Sequence, residues 1–465
     1  MPVITSTDRT QVTLFGSRTA YPVYFTIGNI PKDIRRKSSR HAHILLAYLP
    51  TTKLKHLTNM ASRRRTITNL FHSCMARILE PLGNAGVDGV IMKDGNGIQR
   101  RVHPILAVFT GDYPEQVLVT GTKTGECPKC NIVPEKLGCY ITPYDMRNLQ
   151  ETCEALRQVD MDAATYREAC ANAGIKPIYH PFWEQLPYVN IYQAITPDVL
   201  HQLHQGVLKH LLSWLKRAYG AAEIDAQSRR QSPNHHIRIF TNGITGLSQV
   251  TGKEHDLMSR ILLGLIVGAQ LPNHLNPSRL VCAVRAYLDF VYLARLPRHS
   301  SHSLHQLENA LKMFHDNKSI FVNLGIHNNF KIPKLHSLRH YKSSIKLFGT
   351  TDNYDTQHME HLHSTISKPA YRASNTRDEL PQMTSWLEHR EKMYWQGKNI
   401  QQQQGSHEAE HYSRLPIPSL LPWRQIRTAQ HPNVWRVSID QLISIYGATN
   451  FLLERQVREI RVTRC

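Results

Sequence analysis

The sequence predicts an α/β protein: a small sheet built early in the chain, a long helical segment, then a short return to the sheet. Three observations lead there. Residues 1–30 read as strands separated by turns. Ile105 to Phe109 is a further β-rich apolar run, followed by a Gly-Asp-Tyr-Pro turn. Residues 255–350 carry apolar side chains at helical spacing, punctuated by Pro and Gly.

Taken in order, Val3-Ile4-Thr5 makes a first strand with Asp8 at its end. Val12 to Phe15 and Tyr21 to Ile27 follow as strands, joined by a Gly16-Ser17 turn, in an antiparallel meander. The chain starts only a few residues before Asp8, so the first strand has little upstream support, and a truncated product or incomplete gene model is expected. PKDIRRKSSR (31–40) is a basic loop suited to phosphate contact or nuclear import, or a solvated face. Ile44 to Tyr48 is a short strand. From Ser62 to Leu79, apolar residues at 67, 70, 71, 75, 78 and 79 have helical spacing, with Arg63, Arg64 and Arg65 in the first turn. Glycines at 83, 86, 89, 95 and 97 mark loops. The strand Ile105 to Phe109 then delivers Asp112, and Pro114-Glu115 begins a helix. Asp112 either starts a turn or stands where open α/β sheets place ligands, at a strand's C-terminal end.

A CxxC pair, Cys127 and Cys130, closes this stretch. Residues 145–173 look helical and acidic, and 177–190 form an extended, aromatic connection. In ITPDVLHQLHQGVLKHLL, Thr196 or Asp198 caps a helix, and Asp198 and His201 share one face. This DxxH pair reads as a capping Asp with a polar-face His, or as a metal ligand and its orienting partner. KLHSLRHY sets His336 and His340 four apart, a spacing that suits a metal, although core or DNA-facing positions explain it as well. Glu360 falls in a short helix, with Gln357 one turn earlier and His361 and His363 beside it. From Gly397 onward the chain reads as a linker, then a small segment with strands in WRVSI and REIRV.

Composition narrows the partners. The 56 Lys and Arg outnumber 36 acidic residues, a net charge of +20, so a polyanion, nucleic acid first, is the expected partner. No apolar run reaches the roughly 18 residues of a membrane span, so no membrane role is expected. Eight cysteines, unevenly placed, do not make a disulfide scaffold; a CxxC in such a chain points to zinc or redox chemistry.

The order of three strands, a helix and a strand, with an Asp after the first strand and another after the last, is the opening of an RNase H-like fold. There, paired aspartates and a later acidic residue on a helix hold two divalent ions. Hard cations such as Mg²⁺ or Mn²⁺ need these oxygen ligands, and two of them activate the attacking oxygen and stabilise the leaving one in phosphoryl transfer.

Several long segments, TDRTQVTLFGSRTAYPVYFTIGNIPKDIRRK, HPILAVFTGDYPEQVLV with CPKC, YHPFWEQLPYVNIYQAITPDVLHQLHQGVLKHL and KLHSLRHYKSSIKLFGTTDNYDTQHMEHLH, together resemble Plavaka-type transposases of the Kyakuja–Dileera–Zisupton (KDZ) group, common in mushroom-forming fungi. The resemblance spans about Asp8 to Lys392. It implies a nuclear DDE transposase with an RNase H fold interrupted by a helical insertion. Asp8 and Asp112 match the first two catalytic acids, Glu360 lies where the third is expected, and Asp198 and His201 look like the group's DxxH motif. Where relatives read TExxERLH, this chain has Gln357 and His361; if the first Glu is the catalytic one, it is lost here. The resemblance also implies an upstream zinc-finger region that this sequence lacks. Both departures point towards a decayed copy. Cys127 and Cys130 resemble half a zinc site, with Cys139 near and Cys153, Cys170 or a histidine as the fourth ligand.

The expected division is therefore 1–125 for the first part of the core, 126–345 for the CxxC segment and helical insertion, 346–396 for core completion, and 397–465 for linker and appendage. The expected activity is metal-dependent cleavage and strand transfer at transposon ends, with homo-oligomerisation possible. Arg35, Arg36, Lys37 and Arg63 to Arg65 are expected at phosphates. The rival expectation is a catalytically dead DNA- or chromatin-binding descendant; a structure-selective nuclease without strand transfer is a third.

Overall fold

A computed structural model describes residues 1–408, apart from 14–17, 95–96, 233–237, 249 and 272–275. The chain divides into two compact units, Met1–Lys392 and Met393–Cys465. Of the second, residues 393–408 are described, and they are helical. The Gln-rich run expected as a linker is thus helix over its described part, consistent with the good helix propensity of Gln. The strands expected in WRVSI and REIRV lie outside the described residues, as do Leu14, Phe15 and the Gly16-Ser17 turn.

The first unit is built on a four-stranded mixed sheet. Its strands are β1 (Pro2–Thr7), β4 (Pro22–Ile27), β5 (Ile44–Tyr48) and β8 (Ile105–Thr110), in the order β5-β4-β1-β8. Two short pairs, β2 (Thr10–Gln11) with β3 (Thr19–Ala20) and β6 (Val90–Lys93) with β7 (Gln99–Val102), stand apart from it. β1 runs antiparallel to β4 and parallel to β8, with Ser6 opposite Thr110. The parallel pairing brings the C-terminal ends of β1 and β8 side by side. Phe109 also bridges to Ile195 in parallel, which carries the pairing one step beyond β8.

β1 is buried on both faces, as a central strand with parallel pairing demands. One face packs Val3, Val23 and Leu106 against Phe71, Met75 and Leu79 of the Met60–Asp88 helix. On the other, Ile4 and Val108 meet Tyr354, while Tyr24 and Leu45 meet Met359 and Leu362. The segment around Glu360 is thereby pressed onto the sheet.

The Met60–Asp88 helix is longer than its sequence pattern predicts: it runs through Pro81, Gly83 and Gly86 and stops at Gly89. Gly86 serves packing rather than a loop, since a Cβ there would stand 2.6 Å from Pro187 Cγ. Described residues between Val199 and Ile345 form a separate helical core, in which the helices Gly252–Val267, Ser278–Ala294 and Ser301–Asn317 bury their apolar stripes.

Candidate functional site

β1 ends at Thr7, so Asp8 leaves the sheet beside the end of β8. Asp112 caps the Tyr113–Thr120 helix, accepting from the Glu115 N–H at 2.9 Å. Burial raises the Asp112 carboxyl above its usual range; that N–H and His201 oppose the rise, while Asp8 and Asp198 add to it. Asp8, Asp112, Asp198 and His201 therefore share one electrostatic neighbourhood. Asp8 Oδ2 stands 3.5 Å from His363 Nε2, and the His363 Nδ1 edge meets the Tyr24 hydroxyl at 3.2 Å.

Asp198 is buried at the N-cap of the Val199–Leu208 π-helix, where its carboxylate accepts from the Leu200 and His201 N–H groups. The Thr356 hydroxyl donates to it at 2.7 Å, and His201 Nδ1 lies 2.7 Å away. Burial pushes this carboxyl up, but His201 and these donors hold it below the ordinary range. His201 Nε2 is 3.1 Å from Glu360 Oε1. Burial disfavours its charge, yet Asp198 and then Glu360 outweigh that and raise its pKa to about 11. His201 is thus an imidazolium held between two carboxylates. Gln357 is exposed, whereas Glu360 faces this group.

Glu115 is more than the helix-start charge expected from sequence. It is buried, and accepts from the Thr7 hydroxyl at 2.9 Å and from the Tyr21 hydroxyl at 2.7 Å. Burial raises its pKa to about 8. This carboxyl ties the end of β1, next to Asp8, to the helix capped by Asp112.

A second cluster lies at the CxxC. Among the described residues, the group of Cys, His, Asp and Glu side chains with ligand atoms all within 4.8 Å of one another is Cys127, Cys130, His336 and His340, all buried. Cys127 Sγ is 3.2 Å from His340 Nε2, and Cys130 Sγ is 3.1 Å from His336 Nε2. A tetrahedral Zn²⁺ roughly 2.0–2.3 Å from each ligand separates neighbouring ligands by roughly 3.3–3.8 Å. The four side chains are of the right kind and nearly at that spacing, so this cluster could hold Zn²⁺. Burial raises the Cys127 thiol, but Cys130, His340 and His336 together bring it well below its usual range, towards the thiolate a metal needs. Cys139, expected as the third ligand, is outside the group: it is exposed, and its carbonyl accepts from Arg339. His336 and His340, read from sequence as core or DNA-facing, take the remaining places.

The two clusters are braced together. The buried Lys129 ammonium, between the two cysteines in sequence, donates to the carbonyls of Gln193 and Ile195, just ahead of Asp198. From the histidine side, the Tyr341 hydroxyl donates to the Asp198 carbonyl at 2.9 Å.

The basic residues divide. Arg35 is 3% exposed, and its guanidinium donates to the carbonyls of Gly28, Ile30 and Asn353 and to Asn353 Oδ1. Its charge is consumed in holding chain segments together. Arg36 pairs with Asp352 at 3.5 Å, and Lys37 is exposed. Arg64 and Arg65 are exposed near the start of the Met60–Asp88 helix, while Arg63 is half-buried and turns to the Met60 sulfur.

Among the described residues no helix is long and apolar enough to cross a membrane. A search of curated proteins finds no match. Residues 1–215 match the model of a known family, and that stretch contains Asp8, Asp112, Cys127, Cys130, Asp198 and His201. That family is the Plavaka transposases, to which this chain is similar over residues 1–215.

Proposed function

We propose that this chain is a transposase with an RNase H-like core, built to cut and join DNA at the acids on the sheet's edge. The observation that carries the reading is the parallel β1–β8 pair, which delivers Asp8 and Asp112 side by side, with the Asp198–His201–Glu360 group next to them. The strand order supports it: three antiparallel strands, then one parallel to the first. In this reading the helical core of residues 199–345 is an insertion, and the segment carrying Glu360 completes the core.

Asp8, Asp112 and Glu360 would hold Mg²⁺ or Mn²⁺, which supply activation of the attacking oxygen and charge stabilisation at the leaving one. The chain's own residues set the frame. Glu115 fixes the end of β1 against the helix of Asp112. Asp198 fixes the charge and position of His201, and His201 holds the Glu360 carboxylate. The Cys127–Cys130–His336–His340 cluster would hold a structural Zn²⁺ that secures the Asp198 segment through Lys129 and Tyr341. DNA is the partner, bound at exposed cations such as Lys37, Arg64 and Arg65, and the nucleus the place of action.

Two observations favour a second reading, a catalytically dead DNA-binding descendant: Glu360 is already paired with His201, and Asp8, Asp112 and Glu360 are not drawn into a group within 4.8 Å. A nicking assay on supercoiled plasmid separates the two. The full chain with Mg²⁺ or Mn²⁺ should nick DNA, and Asp112→Ala should abolish nicking. Salt-sensitive DNA binding without metal-dependent nicking selects the second reading.

A further inference from the structure

The stretch that ties the metal cluster to Asp198 has another side. There, the loop Cys139 to Tyr144, the Tyr341–Phe348 helix and the Ser301–Asn317 helix surround a cavity of about 500 Å³. Its floor is apolar: Phe290, Leu307, Leu311 and Leu338. Its wall is aromatic and cationic. The Arg339 guanidinium lies 4.4 Å from the Tyr144 ring centre and 5.6 Å from that of Tyr140.

The wall is built rather than loose. Arg339 donates to the carbonyls of Cys139 and Thr142, pinning the loop from below. Tyr144 stands edge-on to the rings of His336 and His340, 5.6 and 5.2 Å away. The loop's tip, Ile141, is 91% exposed, an apolar side chain offered to whatever approaches. At the rim, Lys342 pairs with Glu308, but Lys346, about one turn further along, has no hydrogen-bond or ion-pair partner among the described residues. The cavity therefore combines an apolar floor, an aromatic and guanidinium wall, and surplus positive charge at its mouth.

We propose that this cavity takes a single unpaired DNA nucleotide, its base on the apolar floor against the Tyr140–Arg339–Tyr144 wall and its phosphate at Lys342 and Lys346. The size lies within the range of ligand pockets, roughly 300–1,000 Å³. Bases held by proteins outside a duplex rest against aromatic rings and guanidinium planes, with cations along the backbone. A base inside a duplex cannot enter a concave site, because it is stacked and paired; an unpaired one can. The proposal rests on the reading that the chain handles DNA.

The test is fluorescence anisotropy with the full chain and three labelled DNAs: a blunt duplex, the same duplex with a short unpaired flank, and that flank without bases. The flanked duplex should bind about tenfold tighter than the blunt one, the scale of one stacked base, and the abasic flank should lose the gain. Ser343→Phe fills the cavity from its exposed rim and should remove the preference while leaving blunt-duplex affinity unchanged. Lys346→Ala should reduce the preference. Unfolding curves for both variants should overlay the parent's. Equal binding of flanked and blunt duplex, or a preference that survives Ser343→Phe, overturns the proposal. No binding to any of the three DNAs overturns the DNA reading beneath it instead.

Discussion

His201 Nε2 lies 3.1 Å from Glu360 Oε1 while its other ring nitrogen, Nδ1, lies 2.7 Å from Asp198 Oδ2. One imidazolium therefore joins the start of the helical core to the segment that packs back onto the sheet. The buried Asp198 carboxylate depends on it, since a buried charge stripped of its partner is costly.

His201→Asn should destabilise the first unit by about 2–4 kcal/mol near pH 6, read by denaturant unfolding. The sign with pH follows from the shifts. His201 is raised from 6.5 to about 11, so its contribution is complete below about 6.5 and fades as pH rises towards 11. Asp198 is lowered from 3.8, so the same interaction fails as pH falls below that value. The gap between parent and variant should be widest from about pH 4 to 6.5 and narrow by pH 9–10. A gap independent of pH would show that His201 acts by packing alone.

Glu115→Gln should also gain on the parent as pH rises, because the buried carboxyl costs stability once it ionises. Its carboxyl is raised from 4.5 to about 8, so stability is fully present below about 4.5 and is lost as pH climbs through 8. An amide can accept from Thr7 and donate to the Tyr21 oxygen without titrating. Between pH 4 and 9, the variant should gain on the parent by about 3–5 kcal/mol. Parallel stability curves for the two proteins would refute this.

Asp8 and Asp112 were legible in the sequence because each closes a β-rich run, and the parallel pairing of β1 with β8 brings those ends together. Asp198 and His201 were legible as a cap and its neighbour one turn on. The cysteine half of the metal cluster was visible as a local motif. Its histidine half showed only as a metal-compatible spacing with no link to the cysteines, because His336 reaches Cys130 only through the tertiary fold. Gly83 and Gly86 misled for a related reason: the space Gly86 leaves is filled by Pro187, a hundred residues away in sequence. Arg35 reads from sequence as a phosphate contact in a basic run, since nothing local shows that Gly28, Ile30 and Asn353 turn their oxygens towards it.

Arg35 and the arginines of the Met60–Asp88 helix should therefore separate cleanly. Arg35→Ala leaves several partly buried carbonyls without their donor and should cost about 1–3 kcal/mol of stability. Arg64→Ala with Arg65→Ala should leave unfolding unchanged and weaken duplex binding. If each meets one phosphate, the slope of log affinity against log salt should flatten by about 0.9 per residue. An unchanged slope would remove this helix end from the DNA surface.

The metal cluster makes the sharpest demand on composition. Four ligands from Cys127, Cys130, His336 and His340 imply one Zn²⁺ per chain, measurable by elemental analysis after dialysis. Cys127→Ser or His336→Ala should lose it, and the unfolding midpoint should fall by about 5–10 °C, because structural zinc contributes its binding energy to folding. Cys139→Ser should keep both the metal and the midpoint, since Cys139 is exposed and outside the group. The bracing of Asp198 by Lys129 and Tyr341 adds a consequence at a distance. Chelating the metal should speed hydrogen exchange in residues 193–203 as well as around the cysteines. Zinc content that depends on Cys139, or exchange at 193–203 that ignores the metal, would break the link between the two clusters.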